Sequence, residues 1–291
     1  MKNNRFVAFV VIPAIALLTL FVIVPIIGSF VISVLDYNPL RASNAFVGFA
    51  NYKRAFSDPV YIKAVGNSLI FVLAAATINI CLTLLLAQGI ANVKRRSLRN
   101  LALVAIFLPC VAPISNSAVV WSRGLFPPRN GLFNIVLSAL GGTPIDWIGS
   151  AQMLLPSIII FSLWADVGYN AILFTAGVDG IPKEFYEAAD MDGAGAIYRF
   201  FKITLPLLGR TFSFVAAMTI ISYFQMFAQF LIFARLGGPG KSGQVMTTYI
   251  YQTGFIAKDM GYACAISVTL FFIILVFTIV QQRLNKVDWG Y

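Results

Sequence analysis

Residues 187–206 read Glu-Ala-Ala-Asp-Met-Asp-Gly-Ala-Gly-Ala-Ile-Tyr-Arg-Phe-Phe-Lys-Ile-Thr-Leu-Pro, a polar stretch set between two long hydrophobic runs. Residue by residue it describes a compact knob. Glu184 to Asp192 has the composition of a short helix that begins after Pro182 and carries acids in its first turns, where the helix dipole favours them. Gly193 and Gly195 allow a sharp change of direction. Ala194 to Thr204 can form a second helical piece, which Pro206 ends at the entry to the next apolar run. The small residues Ala188 and Ala189 let another surface approach closely, and Glu187 can accept a charge-assisted hydrogen bond from a basic partner. On composition alone, an ordinary amphipathic loop between helices is the competing description.

The surrounding chain has 291 residues, 59% of them hydrophobic and 11% charged. A soluble domain carries about 25% charged residues. The apolar excess comes in blocks long enough to cross a bilayer, about 20 residues each. Runs almost free of charge cover 6–35, 64–91, 101–122, 151–178 (interrupted by Asp166), 208–234 (with Arg210 near its start) and 260–282. The pattern predicts an all-α integral membrane protein with six transmembrane helices. Lys2 and Arg5 before the first run suggest a signal peptide, but the run far exceeds the roughly 7–15 apolar residues of one, so it is expected to remain as a helix. Pro13 and Pro25 are expected to kink it. The first helix and an external segment make up residues 1–63, and the core makes up 64–291, with the polar loop at about 179–206. Residues 49–63 mix aromatic with basic side chains, and read either as an amphipathic segment in the outer interface or as a solvated loop. Everything outside the spans is expected to be loop.

Lys94, Arg95, Arg96 and Arg99 crowd one short loop, Lys2, Arg5, Arg283 and Lys286 flank the ends, and Lys183, Arg199, Lys202 and Arg210 surround the polar stretch. Placing them inside satisfies the positive-inside rule and puts both termini in the cytoplasm. The opposite side carries more dispersed bases, including Arg41, Lys53, Arg123 and Lys241. A net charge of +10 without a basic face or helix gives no reason to expect a nucleic-acid partner.

The spacing of Glu187-Ala188-Ala189, Gly193, Ile203, Leu205 and Pro206 resembles the "EAA" loop in the membrane subunits of bacterial ABC importers. Phe46-Val-Gly-Phe-Ala-Asn-Tyr52, Asp58-Pro59, Asn67-Ser68-Leu69, Leu108-Pro109, Trp164, Gly237-Gly238-Pro239 and Met260-Gly261-Tyr262 are similar to stretches of carbohydrate-importer permeases. The chain looks like the first of the two permease subunits of a maltose-type or glycerol-phosphate importer. It ends in Gln281-Gln-Arg-Leu-Asn-Lys286 rather than the Gly-rich tail of the second. The resemblance implies a type I permease fold in a bacterial or archaeal cytoplasmic membrane. It implies a second homologous permease and two ATPase subunits, which dock on Glu187, Ala188, Ala189, Asp192, Gly193, Ile203, Leu205 and Pro206 and hold the ATP and Mg. It also implies an extracytoplasmic solute-binding protein that delivers a sugar, an oligosaccharide by preference, for import by alternating access. This chain would carry no cofactor or catalytic residue of its own.

Other chemistries find little footing. There is no histidine, and Cys81, Cys110 and Cys264 lie singly in apolar runs without metal-ligand spacing, as buried small hydrophobes would. Gly240-Lys241-Ser242 imitates a P-loop, but Arg235 stands where the loop needs its first glycine. A secondary transporter of a small polar solute is the alternative function; it would usually carry ion-coupling carboxylates and internal repeats, and one intramembrane Asp without a repeat supports it thinly.

Asp166 is the acidic residue placed well inside an apolar run, where an ionisable group is costly and faces a cavity or a partner. Counting back from Glu187, the resemblance implies sugar contacts at or beside Ser162, Ala165 and Asp166. An Asp paired with a base at a subunit boundary is the other reading. Ser115 and Asn116, and Tyr223, Gln225 and Gln229, are further polar groups in apolar helices. They suit either a sugar pocket or helix–helix contact.

Overall fold

A computed structural model describes residues 3–41 and 45–284. Lys2 and Lys286, used above for orientation, lie outside the described residues. Five helices are long and apolar enough to cross a membrane: Val11–Ser33, Pro59–Ala91, Leu154–Asp179, Gly209–Phe233 and Met260–Leu284. Arg96–Val111 and Ile114–Leu125 form a sixth span bent by 90°. In chain order they are spans one to six, the bent pair being span three.

The bend corrects the expectation of an unbroken span over 101–122. Pro113 pushes Ala112 into an extended conformation (φ −72°, ψ 136°), and Pro109 already removes one helical donor in the preceding turn. In span one, Pro25 is accommodated by a π turn over Thr19–Ile23, in which the Val24 amide donates to the Thr19 carbonyl. The segments between spans are not all loop. Ala50–Ser57, Leu132–Ala139 and Met246–Tyr251 are helical, and Leu35–Asp36 pairs antiparallel with Ala45–Phe46, Leu35 opposite Phe46.

Two compact units divide the chain. The first joins the residues up to Ile62 to Met246–Phe272. It is held by a polar cluster built on Asp58. The carboxylate accepts from the Val60 amide at 2.8 Å, from Tyr262 at 2.8 Å, and from the Tyr249 hydroxyl. Partial burial opposes the charge of Asp58, but these donors outweigh it and hold the group below its usual value of 3.8. Burial, then the bond to Asp58, push the Tyr249 phenol up to about 12. Beside it Arg54 pairs with Asp259 at 2.6 Å and lies 4.0 Å over the Tyr262 ring. Asn51 donates to the carbonyls of Ser33 and Leu35, and the Gly261 amide donates to Tyr37 O. A Cβ at Gly261 would stand 2.1 Å from Leu35 O, so no larger residue fits.

The second unit joins Lys63–Val245 to the residues from Ile273 onward. Spans three and four pack closest at Gly168, where a Cβ would lie 2.2 Å from the Ile106 carbonyl oxygen. Near one end, Trp121 meets Phe126, Phe161 and Trp164 at ring separations of 5.4, 5.3 and 5.1 Å. The segment before span four is ordered around Asn134, which donates to Ile145 O at 2.8 Å and accepts from the Trp147 indole at 3.1 Å. The segment after span five turns at Gly237 (φ +93°) and Gly238 (φ +70°), and Asn67 of span two donates to Lys241 O and Gln244 O. Gly240-Lys241-Ser242 belongs to this turn, with no strand before it.

Candidate functional site

Two features of the second unit carry chemistry: a cavity among spans three, four and five, and the polar knob between spans four and five.

The cavity measures about 450 Å³, within the roughly 300–1,000 Å³ of small-molecule sites. Span three contributes Pro109, Cys110 and Ala112, span four Ala165, Asp166, Tyr169 and Asn170, and span five Thr219, Ser222, Tyr223 and Gln229. Asp166 and Tyr223, both singled out in the sequence, therefore face one space. Oδ2 of Asp166 is buried without a hydrogen-bond partner. Ser162 lies one turn before Asp166, fully buried, with its Oγ unpartnered, and does not line the cavity. Asn116 and Gln225 are exposed and outside the lining, Asn116 beyond the bend and Gln225 capping the helix that ends at Phe224. The cysteines depart from expectation too. Cys81 is exposed on its helix, and Cys110 and Cys264 are half-buried.

Into the cavity wall runs a polar chain of which the sequence singled out only Tyr223. Nδ2 of Asn170 donates to Asn79 Oδ1 at 2.7 Å and to Thr219 Oγ1 at 2.9 Å, and Asn79 Nδ2 donates to the Tyr223 hydroxyl at 2.9 Å. Asn79, Asn170, Thr219 and Tyr223 are all buried, so the bonds tie spans two, four and five together. Phe71 packs against Tyr223 at 5.7 Å and closes the far side. Tyr223 accepts from Asn79 and so keeps its own O–H to donate.

The knob begins with the helix Glu184–Met191, as the sequence suggested. Gly193 takes φ +72°; its amide donates to Asp190 O and the Ala194 amide to Ala189 O, so two of the last helical carbonyls are satisfied across the turn. Gly195 has an ordinary extended backbone (φ −68°, ψ 163°), so left-handed freedom is used at Gly193 and not there. A second piece, Ala196–Arg199, runs into a π turn over Phe200–Thr204. That turn carries the helix through Pro206; the break falls instead at Leu208, where ψ is −1°. Glu187, Ala188, Asp192 and Gly193 are exposed, whereas Ala189 is buried and supports the knob from within. Ile203 and Leu205 are half-buried and Pro206 is exposed.

The knob is anchored. The hydroxyls of Tyr186 and Thr204 lie 2.9 Å apart, and Arg199 donates to Asp190 across the turn. A buried cluster of Leu84, Ala87, Phe174, Val178, Ile181 and Leu208 receives Tyr186, Phe200 and Leu205. With Val215, its members come from spans two, four and five as well as the loop. Arg99 pairs with Asp179 at the end of span four. A push on the helix Glu184–Met191 therefore meets packed side chains rather than a slack linker.

Apolar spans, a cavity whose largely apolar lining carries a carboxylate and a few hydrogen-bonding groups, and an anchored polar knob mark a membrane transport component. Residues 79–286 match the model of the binding-protein-dependent transport system inner membrane component, and the chain belongs to that family. It is 32% identical to the probable ABC transporter permease protein YurN of Bacillus subtilis, with 98% of each chain covered. It is 31% identical to the arabinooligosaccharide transport system permease AraP of Bacillus subtilis, covering 91% of this chain and 83% of the relative. The lactose transport system permease LacF of Rhizobium radiobacter is 32% identical, covering 92% and 90%. A chain in the crystal structure of a bacterial alginate ABC transporter, solved with an alginate-bound periplasmic protein, shares the fold with TM-score 0.83 at 21% identity, covering 98% and 95%. These relationships support an importer permease and not a secondary transporter.

Proposed function

We propose that the chain is the membrane-spanning permease subunit of an ATP-driven importer that passes a sugar, an oligosaccharide by preference, into the cytoplasm by alternating access. A second homologous permease completes the pathway, two separate ATPase subunits bind ATP and Mg, and an extracytoplasmic solute-binding protein delivers the sugar. The chain itself performs no hydrolysis. Both termini and the knob face the cytoplasm of a bacterial or archaeal cell, where the ATPases stand. The relatives named for arabinooligosaccharide and lactose transport support the choice of substrate.

The observation that carries this is the anchored knob. Its outer side offers Glu187, Ala188, Asp192 and Gly193, while its inner side is wedged among spans two and four through Tyr186, Phe200 and Leu205. An ATPase seated on the outer side would move the spans that line the cavity. Glu187→Lys reverses a charge on the outer face, and Gly193→Trp adds bulk where the backbone is already left-handed. Either substitution should lower ATPase co-purification or uncouple hydrolysis from uptake while the binding protein still binds its sugar. Wild-type coupling in both variants would rule the docking role out.

A further inference from the structure

We propose that the mid-span cavity admits uncharged saccharides and rejects anionic ones, and that Asp166 sets the discrimination. The inference rests on the reading of the chain as a sugar-importer permease. Among the described residues, Asp166 is the charged side chain of the cavity lining; no Lys or Arg joins it, and the sequence contains no histidine. None of the ion pairs of the described residues uses Asp166, and its Oδ2 is buried and unpartnered. Among the described residues, no cation pairs with it.

A phosphate or uronate entering this space would bring a second negative charge beside the first and find no guanidinium or ammonium to receive it. At about 4 Å and an effective dielectric near 20, like unit charges weaken binding on the order of a hundredfold or more. A neutral sugar meets the opposite situation. Its hydroxyls can donate to the carboxylate, and the Tyr223 hydroxyl, already accepting from Asn79, has a proton to give back. Ser222 and Gln229 add two-way hydrogen bonding, and the ring of Tyr169 offers an apolar face for the sugar's C–H side. Acceptors, donors and tyrosine rings around a single carboxylate make a site for hydroxyl-rich, uncharged ligands.

The test uses the complete transporter of both permeases and both ATPases in lipid nanodiscs, without its solute-binding protein, so that the transmembrane cavity is probed alone. Thermal unfolding is followed with millimolar lactose, arabinotriose or N,N′-diacetylchitobiose, and with sn-glycerol 3-phosphate or an alginate trisaccharide. At least one neutral saccharide should raise the melting temperature, and the anions should bind at least about tenfold more weakly. Asp166→Asn should shrink that gap, and Asp166→Arg should invert it. An anion that stabilises the wild-type transporter as well as the best neutral sugar overturns the charge rule and leaves sugar import standing. An unchanged gap in an Asp166→Asn transporter that retains its ATPases removes Asp166 from the role. A transporter that responds to no probe, and imports none when its binding protein is restored, overturns the sugar reading itself. The wild-type panel decides the charge rule even if a substitution prevents assembly.

Discussion

Replacing Gly168 by alanine tests the closest approach between two spans. The added Cβ would lie 2.2 Å from the carbonyl oxygen of Ile106 and 2.8 Å from the Cα of Phe107, where ordinary contact begins at 3.4 Å. Both obstacles are backbone, so no side chain can swing aside; span three must retreat by about 1 Å. Overpacking of this kind costs about 1–3 kcal/mol. Alanine's better helix propensity offsets up to about 1 kcal/mol of that. A clash of 2.2 Å against backbone belongs at the upper end of that range, so the net expectation is a loss of about 2 kcal/mol, read as a lower melting temperature of the purified complex in detergent. Gly89→Ala in span two is the matched control, because nothing stands within 4 Å of its Cβ position, and propensity alone should leave it neutral or slightly more stable. A Gly168→Ala complex that melts with the wild type would show that spans three and four do not approach this closely, and the cavity wall at Pro109 and Cys110 would have to be redrawn.

Other consequences can be measured separately. Asn170→Ala removes two interhelical hydrogen bonds; such bonds contribute about 0.6 kcal/mol each on average and up to about 1.7, so unfolding should come easier by about 1–3 kcal/mol, and an unchanged midpoint would deny the network its role. Asp58→Asn should destabilise the chain at pH 7. Because the folded group titrates below 3.8, its contribution is full above that value and is lost as pH falls through the folded value, so the gap between variant and wild type should close in acid; a gap of constant size down to pH ~3 contradicts this. Single cysteines near Asp146 and Lys241 should react with an impermeant thiol reagent added outside intact cells, and those near Arg96 and Gly193 should not; the reverse pattern would invert the orientation.

The spans were legible because a bilayer sets both the length and the composition of whatever crosses it, and the nearly charge-free runs answer to both. Hydropathy sums apolar content without regard to direction, so it passed over the bend in span three although Pro109 and Pro113 were in plain view. The helices Leu132–Ala139 and Met246–Tyr251 were missed because they are short and held by tertiary contacts, such as those of Asn134, rather than by pattern. Asp58-Pro59 and Met260-Gly261-Tyr262 entered as resemblance alone. Their physical content is one assembly, in which Asp58 accepts from Tyr262 while Gly261 leaves room for the Leu35 carbonyl.

The cavity shows where sequence reasoning stops. Asp166 could be found because a carboxylate in an apolar run must be stabilised by something. From it, the helical period leads to Tyr169 and Asn170 three and four residues on, and from Tyr223 back to Thr219, all of them in the lining. Gln225, two residues beyond Tyr223, falls off that face, and Asn116 lies past a 90° bend that resets the phase of span three. One correct anchor per span therefore recovers its neighbours on the same helix. Which anchors of different spans face each other is not a property of any one helix. It depends on the rotation of each about its axis, and here that rotation is fixed by Asn170 reaching both Asn79 and Thr219 and by Gly168 admitting the backbone of span three. The substrate chemistry inferred for Asp166 thus stands on the packing behind it as well as on the carboxylate: move the asparagine network or fill the glycine notch, and Asp166 and Tyr223 no longer share one cavity.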